Sequence, residues 1–478
     1  MPGNNVDGLK KGTLFLLAGQ AVSLVAGYGI HVWLARTLGP GQYGIYGVVM
    51  SLLLWIEVGV ISGIPMAVQK FVSAAPDKAG AVIKKTAGMQ VVYIVVLFSA
   101  SFVLAPLVAS LFRHAEIAGY LRIALIDLWV YGIYFIFLNL QNGLHNFRKQ
   151  AALILLYSAS KFIFVVLLVP SEAKLSGAFI ANIAASAVAL CAALLFAAKR
   201  EGDTGGQSVS GREILQFAAP VAFFALAINL YLNIDLWIVK YFLGDVQAGM
   251  YVSAATVARV PYFLFFALSS AVLPLLSRAL AKGETESVQN TIAGAVKFLI
   301  IAVTLLVAVV AGYGKEIIVL LFSETFSPAG EIVSLLIAGM SFLALFFLFT
   351  TVFNADNRPR TALVLTGSGV VLDAVLAIVL IPDMGVMGGA LATTLSLVAV
   401  TIVSWSMVRS SFGTFFTAGS AARIGGAGLL VYGAARVIRV SGILMVATCA
   451  ALALGYLAAL IAVREISPRD LYLFKKKG

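Results

Sequence analysis

Six charged residues lie inside long apolar stretches of this sequence, where a charged side chain is hardest to accommodate. They are Glu57, Asp127, Lys161, Asp235, Arg259 and Asp373. A charge at the centre of a bilayer costs about 2.5–3.5 kcal/mol on insertion scales, so such residues usually face a hydrated cavity or an oppositely charged partner. Arginine offers a fork that fits phosphate and lysine offers a point charge. Lys161 and Arg259 are therefore the candidates for binding an anionic substrate.

The acidic members of this set have two candidate roles. They are Glu57, Asp127, Asp235 and Asp373. These carboxylates could carry H⁺ or Na⁺ as a coupling ion through a transport cycle, or they could only neutralise the two basic residues. No other cofactor is predicted.

Two of the six residues occupy matching positions in the two halves of the chain. Lys161 and Asp373 are 212 residues apart, and they could pair between the halves. The alternative is that Lys161 pairs within its own half, for example with Glu57. Two further basic residues, Lys240 and Lys297, lie near the ends of apolar stretches, and we expect both side chains to reach the membrane interface.

The elements that position these residues are transmembrane helices. Hydrophobic residues make up 61% of the 478 and charged residues 11%, with a mean hydropathy of +1.01, whereas a soluble domain has about 25% charged residues. Stretches of about 20 apolar residues predict fourteen membrane-spanning helices. Six lie within 12–198, six within 214–408, and two more at 421–435 and 441–463.

A polar segment from Lys199 to Glu213 separates the two sets of six. The predicted fold is all-α, with two pseudo-symmetric six-helix bundles and a C-terminal helix pair. The corresponding domains are 1–205, 206–412 and 413–478, the last ending in a basic tail that we expect to touch anionic headgroups.

The distribution of basic residues predicts the orientation in the membrane. With the N terminus in the cytoplasm, the inner segments hold 22 of the 33 Lys and Arg, the outer segments 7 and the spans 4. This excess on the inner side favours two cytoplasmic termini in the plasma membrane. It also accounts for the net charge of +12 without a nucleic-acid partner.

A short motif occurs twice. LGPGQYGIY (38–46) recurs as LGDVQAGMY (243–251), and Trp33 and Trp237 stand just upstream. A second set of matches at an offset of 212 includes the pair GA at 177–178 and 389–390. The copies are six helices apart, so they insert in the same direction as parallel repeats. This arrangement predicts substrate binding between two bundles near the membrane midplane, with alternating access by rocking.

Signatures of enzymes and metal sites are missing from the sequence. There is no Walker A motif and no H-E-x-x-H, and three histidines and two cysteines lie far apart. The longest predicted outer loop, Gly312 to Gly330, holds only three charged residues. The sequence therefore predicts a transporter rather than an enzyme.

Several segments resemble the polysaccharide transporter family of the multidrug/oligosaccharidyl-lipid/polysaccharide exporter superfamily, which includes the O-antigen flippases. They are HVWLARTLGPGQYGIYGVVMS (31–51), SGIPMAVQKFVS (62–73), NIDLWIVKYFLGDVQAGMYVSAATVARV (233–260) and IPDMGVMGGALATTLS (381–396). The resemblance extends over about residues 10–410. It implies a flippase that moves a polyprenyl-pyrophosphate-linked oligosaccharide from the inner to the outer leaflet. The pyrophosphate would then lie against Lys161 and Arg259.

The partners that this resemblance implies are the lipid-linked glycan, membrane lipids and polysaccharide-assembly proteins. Three alternatives stay open. Lipid II flippases also have fourteen spans, but they resemble this chain less because their first helix carries charges and none lies between Lys11 and Arg36. Drug/cation antiporters usually have twelve spans, and a membrane glycan polymerase or ligase is the enzymatic alternative.

Overall fold

The computed structural model of the protein describes residues 3–171, 173–198 and 209–466. Within these ranges the regular secondary structure consists of α-helices and two short 3₁₀ turns. Most of the predicted linker and the basic tail beyond Ile466 fall outside the described residues. The prediction of an all-α fold is confirmed.

The chain forms two compact units, of which the first comprises residues 1–233 and 244–249. Its helices are α1 (Gly3–Ser62), α2 (Ile64–Ala74), α3 (Ala79–Leu111), α4 (Glu116–Leu125), α5 (Asp127–Gly143), α6 (Phe147–Leu168), α7 (Lys174–Ala198) and α8 (Gly211–Tyr231). The start of a tenth helix, described next, also belongs to this unit.

The second unit comprises residues 234–243 and 250–478. Its helices are α9 (Ile234–Leu243), α10 (Asp245–Ala258), α11 (Val260–Ala281), α12 (Thr285–Leu321), α13 (Ala329–Ala355), α14 (Pro359–Met384), α15 (Val386–Phe412), α16 (Ala418–Val437) and α17 (Ile443–Ala462). The predicted boundary at 205/206 lies outside the described residues, so the three predicted domains stay predictions.

Eleven helical runs in the described part of the chain are long and apolar enough to cross a membrane. The prediction of a multi-pass membrane protein is therefore confirmed, whereas the count of fourteen spans and the layout of the bundles stay predictions. The 60 residues of α1 contain a break at Gly39, where φ is 70°. This break separates the first two predicted spans.

A proline lies next to each of two further breaks within predicted spans. Pro65 lies in the first turn of α2 and Pro261 in the first turn of α11. A proline has no N–H to donate to the preceding turn, so the first turn of a helix accommodates it without losing a hydrogen bond. Pro65 and Pro261 fall within the second and eighth predicted spans, at 45–66 and 249–276, and each span is divided between two helices. Other prolines lie inside helices of this protein, namely Pro106, Pro220, Pro274 and Pro382.

The predicted outer loop from Gly312 to Gly330 is wrong over its first half, because α12 continues to Leu321. The helix kinks at Tyr313, whose ring is buried and whose hydroxyl donates to the carbonyl of Ile438 at 2.7 Å. At Gly314 an added Cβ would lie 2.5 Å from the carbonyl oxygen of Gly330. Close packing of the end of α12 against α13 therefore keeps this segment helical.

The two copies of the repeated motif contact each other within the first unit. We call Leu38–Tyr46 the first repeat motif and Leu243–Tyr251 the second. An added Cβ at Gly44 would lie 2.0 Å from the carbonyl oxygen of Asp245, and one at Gly249 would lie 1.9 Å from that of Pro40. Only glycine allows the main chains to approach this closely.

The same two motifs share a second backbone feature. Gly39 and Gly244 both have positive φ, 70° and 85°, a conformation that other residues rarely adopt. Beside them, Nδ1 of His114 lies 3.0 Å from Oδ2 of Asp245. The spacing of glycines in the two motifs thus has a structural cause in both copies.

The end of α17 is fixed to two other helices by one carboxylate. Glu465 is buried, and its Oε2 accepts a hydrogen bond from Nε of Arg423 at 2.6 Å while its Oε1 lies 3.6 Å from Nζ of Lys297. Burial raises the pKa of Glu465, but the hydrogen bonds from Arg423 and Ser420 and the charges of Lys297 and Arg423 lower it below its ordinary value overall. This carboxylate is therefore a stabilising anion near neutral pH.

Candidate functional site

Asp127 is the centre of a buried polar cluster in the first unit. It is the first residue of α5, where a negative charge is favoured by the helix dipole, and its side chain is fully buried. The amide of Asn182 on α7 donates to its Oδ2, and the buried Ser186 lies one turn further along the same helix. Helix α7 therefore supplies the polar surroundings of this carboxylate.

Glu57 on α1 and Lys161 on α6 complete this cluster. Glu57 is 4% exposed and Lys161 is half-buried, and the charges of Glu57, Asp127 and Lys161 all interact with one another. When all three are ionised, the group has a net charge of −1. The structure thus brings together three of the six predicted site residues.

Lys161 interacts with carboxylates of its own half, which is one of the two pairings that the sequence left open. Its two carboxylate neighbours both belong to the first unit. Its pairing with Asp373 in the other half stays a prediction.

Three tyrosines lie next to this cluster, one of them against Lys161. The rings of Tyr131, Tyr134 and Tyr157 have centroids 5.3–6.1 Å apart. The Tyr157 hydroxyl donates to Oδ1 of Asn182 at 3.3 Å, and Nζ of Lys161 lies 5.8 Å from the centre of its ring. Such side chains present an apolar face and a polar hydroxyl together.

Asp235 is the centre of a second cluster, in the second unit. It lies in the first turn of α9 and is buried. Its Oδ2 accepts hydrogen bonds from the hydroxyls of Tyr251 and Thr393, the latter at 2.9 Å. Its Oδ1 accepts one from the backbone N–H of Leu236 at 2.7 Å. These donors satisfy a buried charge that would otherwise be costly.

Arg259 and Asp373 both interact electrostatically with Asp235. Arg259 is half-buried between α10 and α11, and Asp373 is fully buried on α14. Among the described residues, neither oxygen of Asp373 accepts a hydrogen bond of normal geometry. The second unit thus contains the other three predicted site residues in one cluster.

Lys240 does not behave as the sequence analysis expected. It is only 2% exposed, so its side chain is buried rather than extended to the interface. The cause is the packing of the ten-residue α9 against α14 and α15. Lys297, by contrast, lies near a helix end and pairs with Glu465.

Sequence reasoning missed the neutral partners of these charges, namely Asn182, Tyr251 and Thr393. One of them could have been found from the repeat, since Tyr251 matches Tyr46 at the last position of the motif. In the alignment that pairs the two tryptophans, His31 also matches Asp235. His31 contacts the Tyr46 ring edge-on, with centroids 6.2 Å apart, so each copy places one titratable residue against its motif tyrosine.

An apolar groove lies in the second unit between α12, α13, α15 and α16. Its volume is about 760 Å³, and its walls include Val307, Leu345, Trp405 and Leu429. Helix α17 packs behind α16, where the hydroxyl of its Tyr456 donates to the carbonyl of Ile301 at 3.1 Å. The C-terminal helix pair therefore both lines a groove and packs on α12.

Comparison with known proteins identifies the family. A family model described as "Polysaccharide biosynthesis protein" matches residues 9–280, and the model named MatE matches residues 220–379. A similar curated protein is the "Probable low-salt glycan biosynthesis flippase Agl15" of Haloferax volcanii, which is 26% identical over 182 residues, 38% of each chain. The chain spans about two-fifths of the length of the curated relatives it matches.

Solved structures show the fold. The lipid II flippase MurJ in an inward closed conformation has a TM-score of 0.73 and 16% identity, with 95% of this chain and 99% of that one covered. An inward-facing multidrug resistance MATE transporter has a TM-score of 0.70 and 14% identity, with 81% of this chain and 94% of that one covered. At these identities the likeness concerns the fold alone. Since the family model covers more than half of its residues, the chain belongs to the family of polysaccharide biosynthesis proteins, as its motifs predict.

Proposed function

We propose that this protein is a flippase that moves a polyprenyl-pyrophosphate-linked oligosaccharide from the inner to the outer leaflet of the plasma membrane. The observation that carries the proposal is a pair of buried charged clusters, each with one basic group, in a polysaccharide biosynthesis protein with the fold of membrane transporters. The name of the Haloferax relative, a glycan biosynthesis flippase, supports the same substrate class. Alternating access with both termini in the cytoplasm is part of the proposal.

In this proposal Lys161 and Arg259 bind the pyrophosphate. Each base lies beside carboxylates, so an incoming pyrophosphate competes with Asp127 for Lys161 and with Asp235 for Arg259. Uptake of H⁺ or Na⁺ by a carboxylate removes that competition and strengthens binding of the anion. Because such linkage is reciprocal, bound pyrophosphate also favours ion uptake by the carboxylates.

The lipid tail fits the apolar groove between α12, α13, α15 and α16. Isoprenoid chains have no hydrogen-bonding groups, and the groove walls are almost entirely apolar. Burying apolar chain surface there contributes about 25 cal/mol for each Å² removed from water. The tyrosines beside Lys161 offer a mixed apolar and polar surface for the sugars.

Lipid II is the second candidate substrate, because the fold matches MurJ over almost the whole chain. The lack of charged residues between Lys11 and Arg36 disfavours it. A drug/cation antiporter ranks third since the MatE match covers only residues 220–379. A glycan polymerase or ligase ranks last, because the family and the structural neighbours are transporters rather than enzymes.

Reconstitution in liposomes tests the proposal. A polyprenyl-pyrophosphate oligosaccharide with a fluorescent sugar is placed in both leaflets, and the fraction protected from an external glycosidase is followed with time. We expect the wild type to equilibrate the label. The double variant Lys161→Ala/Arg259→Ala should slow it at least a hundredfold.

The matched control is Arg278→Ala/Lys282→Ala, which removes two exposed basic residues outside both clusters. It should leave the flipping rate unchanged. Equal rates for the Lys161/Arg259 variant and the wild type would contradict the assigned roles. Faster flipping of lipid II than of the oligosaccharide would favour the second candidate, and covalent change of the glycan in detergent would favour an enzyme.

A further inference from the structure

A second cavity lies in the first unit, away from both charged clusters. It has a volume of about 790 Å³ and is formed by α2, α3 and the start of α8. None of the six charged residues of the two clusters lines it. Its floor includes Ile64, Met89 and Tyr93, which pack on the apolar core between α2, α3 and α5. The cavity therefore rests on well-packed apolar side chains and is separate from the two charged clusters.

The rim of the cavity carries a concentrated positive charge. Lys84 and Lys85 are both exposed, and neither forms an ion pair in the part of the chain that the structure describes. An added Cβ at Gly211 would lie 3.3 Å from Cε and 3.9 Å from Nζ of Lys85. The ammonium group thus lies against the first turn of α8, where Ser210 accepts a hydrogen bond from the backbone N–H of Arg212 and Glu213 adds one negative charge.

Below the lysines the cavity wall is apolar and exposed. Val92 and Val96 on α3 are 64% and 59% exposed, and Leu215 on α8 is 52% exposed. Gly88 lies between them and the lysines, and a Cβ there would meet no atom within 4 Å. Positions 84, 88, 92 and 96 follow one helix face, so the stripe is about 18 Å long. A cationic rim above an open apolar channel fits an anionic headgroup attached to a hydrocarbon chain.

We propose that this α2–α3–α8 pocket binds an anionic phospholipid of the bilayer. The phosphate contacts Lys84 and Lys85, and one acyl chain lies along Gly88, Val92 and Val96. The wall opens on the surface of the unit, where phospholipid is the most concentrated molecule of this chemistry. The site does not depend on the proposed transport of a glycan.

Native mass spectrometry of the full-length protein in detergent tests the site, with dioleoyl phosphatidylglycerol and dioleoyl phosphatidylcholine as probes. A basic residue near a membrane surface contributes roughly a fivefold factor in affinity for an anionic lipid. We therefore expect Lys84→Ala/Lys85→Ala to weaken phosphatidylglycerol binding by about 30-fold and to leave phosphatidylcholine binding unchanged. The control Arg148→Ala/Lys149→Ala removes an adjacent exposed basic pair at the start of α6 and should change neither affinity.

A second variant tests the apolar channel. Gly88→Leu places a side chain in the open space of the cavity, and leucine favours a helix more than glycine does, so the fold is retained. It should weaken binding of both phospholipids at this site at least tenfold. Gly119→Leu, at another exposed helical glycine with no atom within 4 Å of its Cβ, should have no effect.

Three results would overturn the assignment. The first is equal wild-type affinity for the two phospholipids. The second is unchanged phosphatidylglycerol binding in both pocket variants. The third is displacement of phosphatidylglycerol by an equimolar polyprenyl monophosphate, which would make the pocket a binding site for the isoprenoid carrier instead.

Discussion

The contact between the two repeat motifs gives the sharpest quantitative prediction. Replacing Gly249 by alanine would place a methyl group 1.9 Å from the carbonyl oxygen of Pro40, and Gly44→Ala would place one 2.0 Å from that of Asp245. Real Cβ atoms essentially never lie closer than 3.0 Å to another heavy atom. The main chains must therefore separate by about 1 Å or more, because neither neighbour is a flexible side chain.

The energetic effect follows from this overlap. Overpacking a tight contact costs about 1–3 kcal/mol. If the protein alternates between a state in which the motifs touch and one in which they are apart, only the first state bears this cost. Each alanine should then shift the equilibrium towards the separated state by about 5- to 150-fold.

Cysteine cross-linking measures this shift. A Cβ at Gly41 would lie 3.8 Å from Cγ2 of Val246, so cysteines at these two positions report directly on the contact. Cys191 and Cys449 are first replaced by alanine. A protease site introduced within residues 199–208 lets a gel distinguish cross-linked from separate fragments.

We expect rapid disulfide formation in the parent and an initial rate at least fivefold lower with either Gly44→Ala or Gly249→Ala. Gly27→Ala is the control. Gly27 lies on α1 like Gly44, but a Cβ added there would meet no atom within 4 Å. Unchanged cross-linking in both motif variants would refute the reasoning. An equal loss in the Gly27 variant would show that the alanines act through general destabilisation instead.

Three other changes probe buried carboxylates and one of their hydrogen-bond donors. Asp127→Asn removes one carboxylate that competes with the pyrophosphate for Lys161. The flipping rate in liposomes should therefore depend less steeply on pH than in the wild type. An identical pH profile would exclude Asp127 as the coupling group. Thr393→Val removes a donor to Asp235 and should cost about 1–3 kcal/mol, measured as a lower melting temperature in detergent. Ionised Glu465 stabilises the fold fully above its ordinary pKa of about 4.3, and this contribution is lost as pH falls through its lowered native pKa. Glu465→Gln should therefore lower the melting temperature at pH 7, with a smaller difference at pH 3.

The charged members of both clusters could be predicted from the sequence because their cost in a membrane makes them stand out against apolar neighbours. Their grouping could be predicted only in part. Lys161 lies with Glu57 and Asp127 because α1, α5 and α6 meet in one unit, and sequence spacing does not contain that information. Asn182 and Thr393 could not be recognised, since serine, threonine and asparagine are common in membrane helices for many reasons.

Local backbone chemistry was predictable where a residue has only one conformational option. Pro65 and Pro261 lie in the first turns of α2 and α11, where the missing N–H breaks no hydrogen bond. Burial of Lys240 was not predictable, because it depends on how closely α14 and α15 cover the short α9. The extension of α12 past Tyr313 likewise depends on a tertiary contact, the hydrogen bond to Ile438.

The glycine contact has a consequence for the environments in which the protein can work. Main-chain atoms at Gly44 and Gly249 carry no group that titrates and no net charge that salt can screen. The main-chain part of this contact is therefore insensitive to salt, whereas salt screens the attraction between His114 and Asp245 beside it.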